Sequence, residues 1–382
     1  MSQLHSQVPI NGLILTGGGA RAAYQVGVLS AISDILQPQR NPFPVIVGTS
    51  AGAINAAALA CGAEDISAAV QRLTGFWQGM RTERIYRSDW QGVLAQAARF
   101  ITGGLLGLAG DAQHALLNNA PLGELLAKEL DFCGIERSLA KGCLHAVAVT
   151  AFDYQHARAV TFYQSIDPIK PWTRHRREGV SGRLGYEHLL ASSALPLLFE
   201  PVPVGERYCG DGALGQTAPI SPALHLGANR VLVIGLRHER KKMQSRNGSN
   251  APSLAQVAGQ LLDSALIDSL DGDLELLERM NQLAAHLPDN VGEGRLAHVD
   301  TMVLSPSQPL ADLALSYRHE LPKALRPFLR GSGATGEGGG EVLSYLLFEP
   351  GYCNALIRLG YEDTLRRKEE LLAFLGHGGC TA

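Results

Sequence analysis

Two hydrophobic periods alternate along the N-terminal part of the chain. Residues 12–16, Gly-Leu-Ile-Leu-Thr, read as a short buried strand that ends in Gly17, Gly18 and Gly19. From Ala22 the spacing changes, with Val26, Leu29, Ile32 and Leu36 recurring at helical intervals. Pro38, Pro42 and Pro44 mark a loop. A second β-branched run, Val45 to Val47, follows, and after one tight turn an alanine-rich stretch over 51–61 predicts a helix. Strand, glycine loop, helix, strand, turn, helix is the order of a mainly parallel sheet with helices on its faces.

Further along, residues 64–80 predict an amphipathic helix and 121–130 a short one. The apolar, glycine-rich stretch 100–108 is too short to span a bilayer and reads as packed core, with a flap or lipid-contacting surface as the sharper alternative. Residues 144–150 alternate as a strand, and 159–163 match an antiparallel partner across a turn containing Asp153. The basic run Arg174-His175-Arg176-Arg177 reads as a solvated loop with some capacity for phosphate head groups. A helix over 188–195 stops before Pro196. Residues 207–209 are a strand leading into Gly210-Asp211-Gly212, and 231–236 a buried strand. Residues 237–249 read as an exposed basic loop, 254–286 as a long helical stretch, 299–304 as a last strand and 331–340 as a flexible glycine-rich loop. The C-terminal stretch 342–375 is helical with a break at Pro350-Gly351, and its Tyr345, Leu346, Phe348 and Leu356 stripe reads as a face packed on the body. This predicts a core over 1–236 and a mostly helical region over 237–382 whose strand near 299–304 joins that core.

The 382 residues suffice for one large α/β domain with additions, or for two domains. With 33 basic and 36 acidic residues there is no basic excess, which argues against a nucleic-acid binder. The six cysteines are scattered without metal-ligand spacing and read as thiols of a reducing compartment. Residues 1–9 lack the apolar core of a signal peptide, and no apolar run is long enough for a membrane span. A cytoplasmic protein is expected, compatible with peripheral attachment to a membrane. The oligomeric state is not legible.

The candidate chemistry lies at Gly48-Thr49-Ser50-Ala51-Gly52. Glycine, serine and glycine between a strand and a helix are what a nucleophile elbow requires, because larger neighbours would collide with the strand and helix. Such a serine sits at a helix N-terminus, where unpaired N–H groups favour developing negative charge. Small residues packing a strand on a helix would give the same pattern without chemistry. The loop Gly17-x-Gly19-x-x-Ala22 fits a dinucleotide fingerprint, but the second strand ends without its ribose-binding acid and the nearest, Asp34, lies in the helix. An oxyanion hole from the Gly17, Gly18 and Gly19 amides suits a neighbouring serine elbow better. Asp211, at a strand end between glycines, is the leading base, although turn chemistry alone also favours Asp-Gly. Ser192 and Ser193 lack an elbow and read as packing or capping residues. Three alternatives stay open: an α/β-hydrolase-type triad of Ser50, an acid and His319 or His377; a nucleotide-binding module built on the Gly17 loop; and a non-catalytic lipid-binding protein.

Four segments in order, Gly17-Gly18-Gly19-Ala20-Arg21, Gly48-Thr49-Ser50-Ala51-Gly52, residues 191–199 (Ala-Ser-Ser-Ala-Leu-Pro-Leu-Leu-Phe) and Asp211-Gly212-Ala213, resemble the patatin-like phospholipase family over roughly residues 12–236. The resemblance implies a three-layer α/β/α fold with a helical C-terminal extension. It also implies a Ser50–Asp211 dyad in place of a triad, an oxyanion hole at Gly17 to Gly19, and supporting motif residues Arg21, Gly48, Gly52 and Gly212. The implied substrates are phospholipid, lysophospholipid or other acyl esters, with no metal or other cofactor. Ala22 departs from the pattern, since many members carry glycine there, but it remains small and keeps its amide.

Overall fold

A computed structural model describes residues 9–38, 40–86, 117–196, 198–238, 257, 259–260, 263–264, 268–286, 298–323, 326 and 339–376. The stretches expected at 100–108 and 331–338, most of the 237–249 loop, and His377 lie outside the described residues.

Ten strands among the described residues form one sheet: β1 Asn11–Leu15, β2 Val45–Thr49, β3 Ala146–Asp153, β4 Arg158–Ser165, β5 Trp172–Arg174, β6 Arg177–Ser181, β7 Val202–Val204, β8 Arg207–Asp211, β9 Arg230–Ile234 and β10 Asp300–Leu304. The main order is β10-β9-β1-β2-β3-β4-β6-β5, with β7 and β8 branching from β3. From β10 to β3 every pairing is parallel. Side chains of the central strands alternate between two buried clusters. Leu13, Leu15, Ile46, Leu232 and Ile234 face one, and Ile14, Val45, Val47, Val231 and Val233 the other. Both faces are therefore covered, as a parallel sheet requires, and the fold is a three-layer α/β arrangement.

Helices α1 Ala23–Leu36, α2 Ala51–Cys61 and α3 Ile66–Gln78 belong to the larger cluster. The C-terminal helix Pro350–Arg366 lies along α1. Gly27 and Gly360 permit that approach, since a Cβ on either would meet a backbone carbonyl of the other helix, at Ile357 and Tyr24 respectively. The late strand β10 runs parallel to β9, with Asp300 opposite Arg230. Among the described residues no single helix is long and apolar enough to cross a membrane.

Two local expectations are made more specific. The basic run at 174–177 is the tip of a hairpin, with Arg174 opposite Arg177 across the β5–β6 pairing. Asp153 ends β3 at the mouth of the turn and is fully buried; its Oδ1 accepts the N–H groups of Gln155 (2.9 Å) and His156 (3.3 Å), and its Oδ2 pairs with His156 Nδ1 (2.7 Å) and accepts from Arg207 (3.2 Å). The hairpin is local, and its residues 174–176 are exposed; the burial of Asp153 depends on Arg207, 54 positions on, which local polarity does not show.

Candidate active site

Strand β3 positions both halves of the site. Its N-terminal part pairs with β2, ending at Thr49 opposite Thr150. Its next residues pair with β8, starting with Ala151 opposite Asp211. The chain leaves β2 at Ser50 just where β8 arrives from the other direction, so the ends of the two strands meet beside Thr150 and Ala151. Gly212 lets β8 end there, because a Cβ on it would fall on the Thr150 carbonyl.

The turn after β2 holds Ser50 at φ 54° and ψ −131°. A side chain in that region costs about 1–3 kcal/mol and persists only where the surroundings enforce it. Here the enforcement is steric. A Cβ at Gly52 would overlap the Leu15 carbonyl of β1, and one at Gly48 would press on α2 at Gly52 and Ala53. The elbow is further pinned by Ser192, whose hydroxyl accepts the Ser50 N–H (2.8 Å) and donates to the Thr150 carbonyl (2.6 Å). Ser50 is the N-cap residue of α2, yet its side chain makes no capping bond. Instead its Oγ donates to Asp211 Oδ2 at 2.6 Å.

Asp211 is 1 % exposed. Its Oδ1 accepts the Ala213 N–H (3.0 Å), and its own N–H donates to the Ala194 carbonyl (2.8 Å). Burial pushes its carboxyl up to about 7, against the opposing pull of the Ser50 and Ala213 hydrogen bonds. A carboxylate in that range can exchange a proton near neutrality.

Ser50 and Gly19 line one narrow apolar slot, walled by Ile54, Phe76, Trp77, Phe199, Tyr345, Leu346 and Phe348 among others. Gly19 has φ 56° and stands so close to the Tyr345 carbonyl that a Cβ would collide with it. Arg21, of the same loop, is 3 % exposed and reaches the C-terminal helix Gly340–Leu346. Its Nε donates to Ser344 Oγ (2.7 Å), its terminal nitrogens reach Glu341 (2.5 Å) and Asp263 (3.1 Å), and its guanidinium lies 3.9 Å over the Tyr345 ring. Thr82 and Tyr86 add bonds to the Phe348 and Leu346 carbonyls, at 3.4 and 3.2 Å.

Sequence reasoning missed a buried polar chain behind the slot. Gln25 donates to the Thr16 carbonyl (2.8 Å), Asn55 donates to Gln25 (2.9 Å), and the Trp77 indole donates to Asn55 (2.7 Å). It joins the glycine loop to α1, α2 and α3. The only signal in the sequence is an amide on an otherwise apolar helix face. The sequence alone reads Ser192 as a packing or capping residue, and no local pattern separates that from support of the elbow. His319 is exposed and pairs with the Ser316 carbonyl of its own turn (3.2 Å).

The family model for patatin-like phospholipase matches residues 13–224. Among solved structures the chain is similar to VipD from Legionella pneumophila, at 13% identity over 96% of this chain and 68% of that one, with a TM-score of 0.37. It is also similar, at 13% identity, to the complex of SpcU with ExoU from the type III secretion system of Pseudomonas aeruginosa, over 89% of this chain and 71% of that one, with a TM-score of 0.27. No curated protein matches the chain.

Proposed function

The chain belongs to the patatin-like phospholipase family, and from that premise we propose that it is a serine acyl-ester hydrolase of phospholipase A or lysophospholipase type working through Ser50 and Asp211. The observation that carries this reading is the direct 2.6 Å bond from the Ser50 hydroxyl to a buried carboxylate. Asp211 takes the Oγ proton as Ser50 attacks the ester carbonyl. The amides of Gly17, Gly18 and Gly19 hold the oxyanion of the tetrahedral intermediate. On collapse, the alcohol or lysolipid leaves with the proton from Asp211, and an acyl-Ser50 ester remains. Water then gives a proton to Asp211 and attacks the acyl carbon. The proton returns to Oγ as the fatty acid departs. The apolar slot supports an acyl chain as the bound group, and the positive φ at Ser50 keeps the nucleophile lifted out of the strand–helix turn toward it.

The test is hydrolysis of phospholipid and lysophospholipid vesicles by wild type, Ser50→Ala and Asp211→Asn, with products identified by mass spectrometry. Fluorophosphonate labelling of Ser50 is scored in parallel. Fatty-acid release by wild type and a loss of at least about 10⁴-fold in Ser50→Ala are expected. Undiminished cleavage without the Ser50 hydroxyl would overturn the reading. A loss of turnover on replacing His319 or His377, with the fold intact, would favour a triad instead.

A further inference from the structure

The slot beside Ser50 has a volume of about 30 Å³, room for roughly two waters. A long acyl chain bonded to Ser50 has to leave it. Two of its wall residues, Ile54 and Phe76, also wall a neighbouring groove of about 660 Å³. The two spaces adjoin along one face of α2. Ala51 and Ile54 line the slot, and Ile54, Ala58 and Cys61 line the groove. Intervals of three and four residues put all four on one side of the helix, a stripe of about 15 Å at 1.5 Å per residue. Facing it, Ala69, Leu73 and Phe76 of α3 repeat the same spacing. These two stripes give the groove an apolar strip, beside which Arg72, Arg84 and Glu129 also line it. Charged groups stand around it, with Arg137 engaged by Asp131 at 2.7 Å.

The partition between the two spaces has one pinned aromatic and one that is less buried. Trp77 is buried, hydrogen-bonded to Asn55 and stacked on Phe348 at 6.3 Å. Phe76 is only half-buried and meets Trp77 edge-on at 6.2 Å.

We propose that the groove between α2 and α3 is the distal acyl-chain subsite, occupied by the far methylenes of a long fatty-acyl group whose carbonyl sits at Ser50, and that Phe76 is the gate between slot and groove. This rests on the acyl-hydrolase reading above. It makes chain length a property of α2 and α3: short acyl groups stay in the slot, and long ones pass Phe76 and gain the apolar strip.

The experiment compares kcat/KM for p-nitrophenyl butanoate and p-nitrophenyl hexadecanoate in mixed micelles, using the full chain. Ala58→Trp fills the groove and is expected to lower the hexadecanoate-to-butanoate ratio at least tenfold. Phe76→Ala opens the partition and is expected to raise that ratio at least threefold. Because it truncates a half-buried side chain, it remains informative if Ala58→Trp fails to fold. Ratios within twofold of wild type in the folded variants would overturn the subsite while leaving the hydrolase reading in place. A wild type that cleaves neither ester and leaves Ser50 unlabelled by fluorophosphonate would overturn the hydrolase reading, and the acyl subsite with it.

Discussion

The slot has two sides that are built in opposite ways. The elbow side is one contiguous segment, β2 through α2, in which each residue's place follows from its neighbours and from two glycines that admit the backbone of β1 and α2. The opposite side, Tyr345, Leu346 and Phe348, comes from far along the chain. Polar contacts hold it there: Arg21 to Ser344, a pair 323 positions apart, and Tyr86 to the Leu346 carbonyl. The elbow fixes what chemistry is possible. The far wall fixes the space in which it happens, and does so with no contiguous motif. The family model, which ends at residue 224, covers the first side and not the second.

The largest effect that separates the two sides is at the dyad. Asp211→Asn removes the proposed proton acceptor, keeps the shape, and is expected to lower kcat by about 10³–10⁴-fold. Wild-type kcat/KM is expected to rise with pH and level off above about 7, where the carboxyl loses its proton. Stability runs the other way. The folded carboxyl holds its proton up to about 7, whereas an unfolded one releases it near 3.9. Between those values the folded state binds more protons, so stability falls as pH rises, by at most about 4 kcal/mol. Asp211→Asn should therefore melt higher than wild type at pH 8, with the difference shrinking toward pH 4. Thermal melts at the two pH values check this, and a variant less stable at pH 8 would contradict the buried-charge account.

On the far side, Arg21→Ala leaves Glu341 and Asp263 without their buried cation. Their partial exposure tempers the cost to about 2–3 kcal/mol. Turnover should fall as well, because Gly19 and Arg21 share one short loop. Arg21→Lys keeps the charge but not the fork that reaches Ser344, Glu341 and Asp263 together, so it should recover only part of both losses. Melting temperature and kcat measured on both variants test whether the clamp couples the wall to the glycine loop. Lost stability with full turnover would uncouple them.

How much of this was legible follows the same division. The parallel strands 12–16, 45–47 and 231–236 could be read from the chain itself, because parallel strands buried on both faces are uninterrupted apolar runs; the helix 22–36 follows from its period and 51–61 from its alanine content. Asp211 could be named as the leading base from its strand-end position between glycines, and the resemblance added the dyad, but neither shows why the two residues meet. The physical cause is the β3 ladder, in which Thr150 pairs with β2 and Ala151 with β8. Strand exchange of that kind leaves no periodic trace. The stripe at 345–348 was read as packing; it is buried, and it also walls the slot. The Gln25–Asn55–Trp77 chain was invisible because one amide on an apolar helix does not announce its partners.

Ser192 gives the finest test of the comparison, since it lies on neither side but braces the elbow from the motif segment 191–199. Its hydroxyl is the bridge between the Ser50 N–H and the Thr150 carbonyl. Ser192→Ala would leave a buried N–H unpaired at a strained φ, a cost of about 1–3 kcal/mol. If the brace only supports the fold, the melting temperature drops and kcat holds. If it also sets the angle at which Oγ meets Asp211, kcat falls by roughly tenfold, about 1.4 kcal/mol of barrier, while KM stays near wild type because the slot walls are untouched. Ser192→Thr retains the hydroxyl and should restore kcat before it restores stability, since its extra methyl enters a fully buried site. We expect the second pattern. The strained turn is held by glycines from the strand side, but only this hydroxyl ties its amide to β3, the strand that carries Asp211 into place.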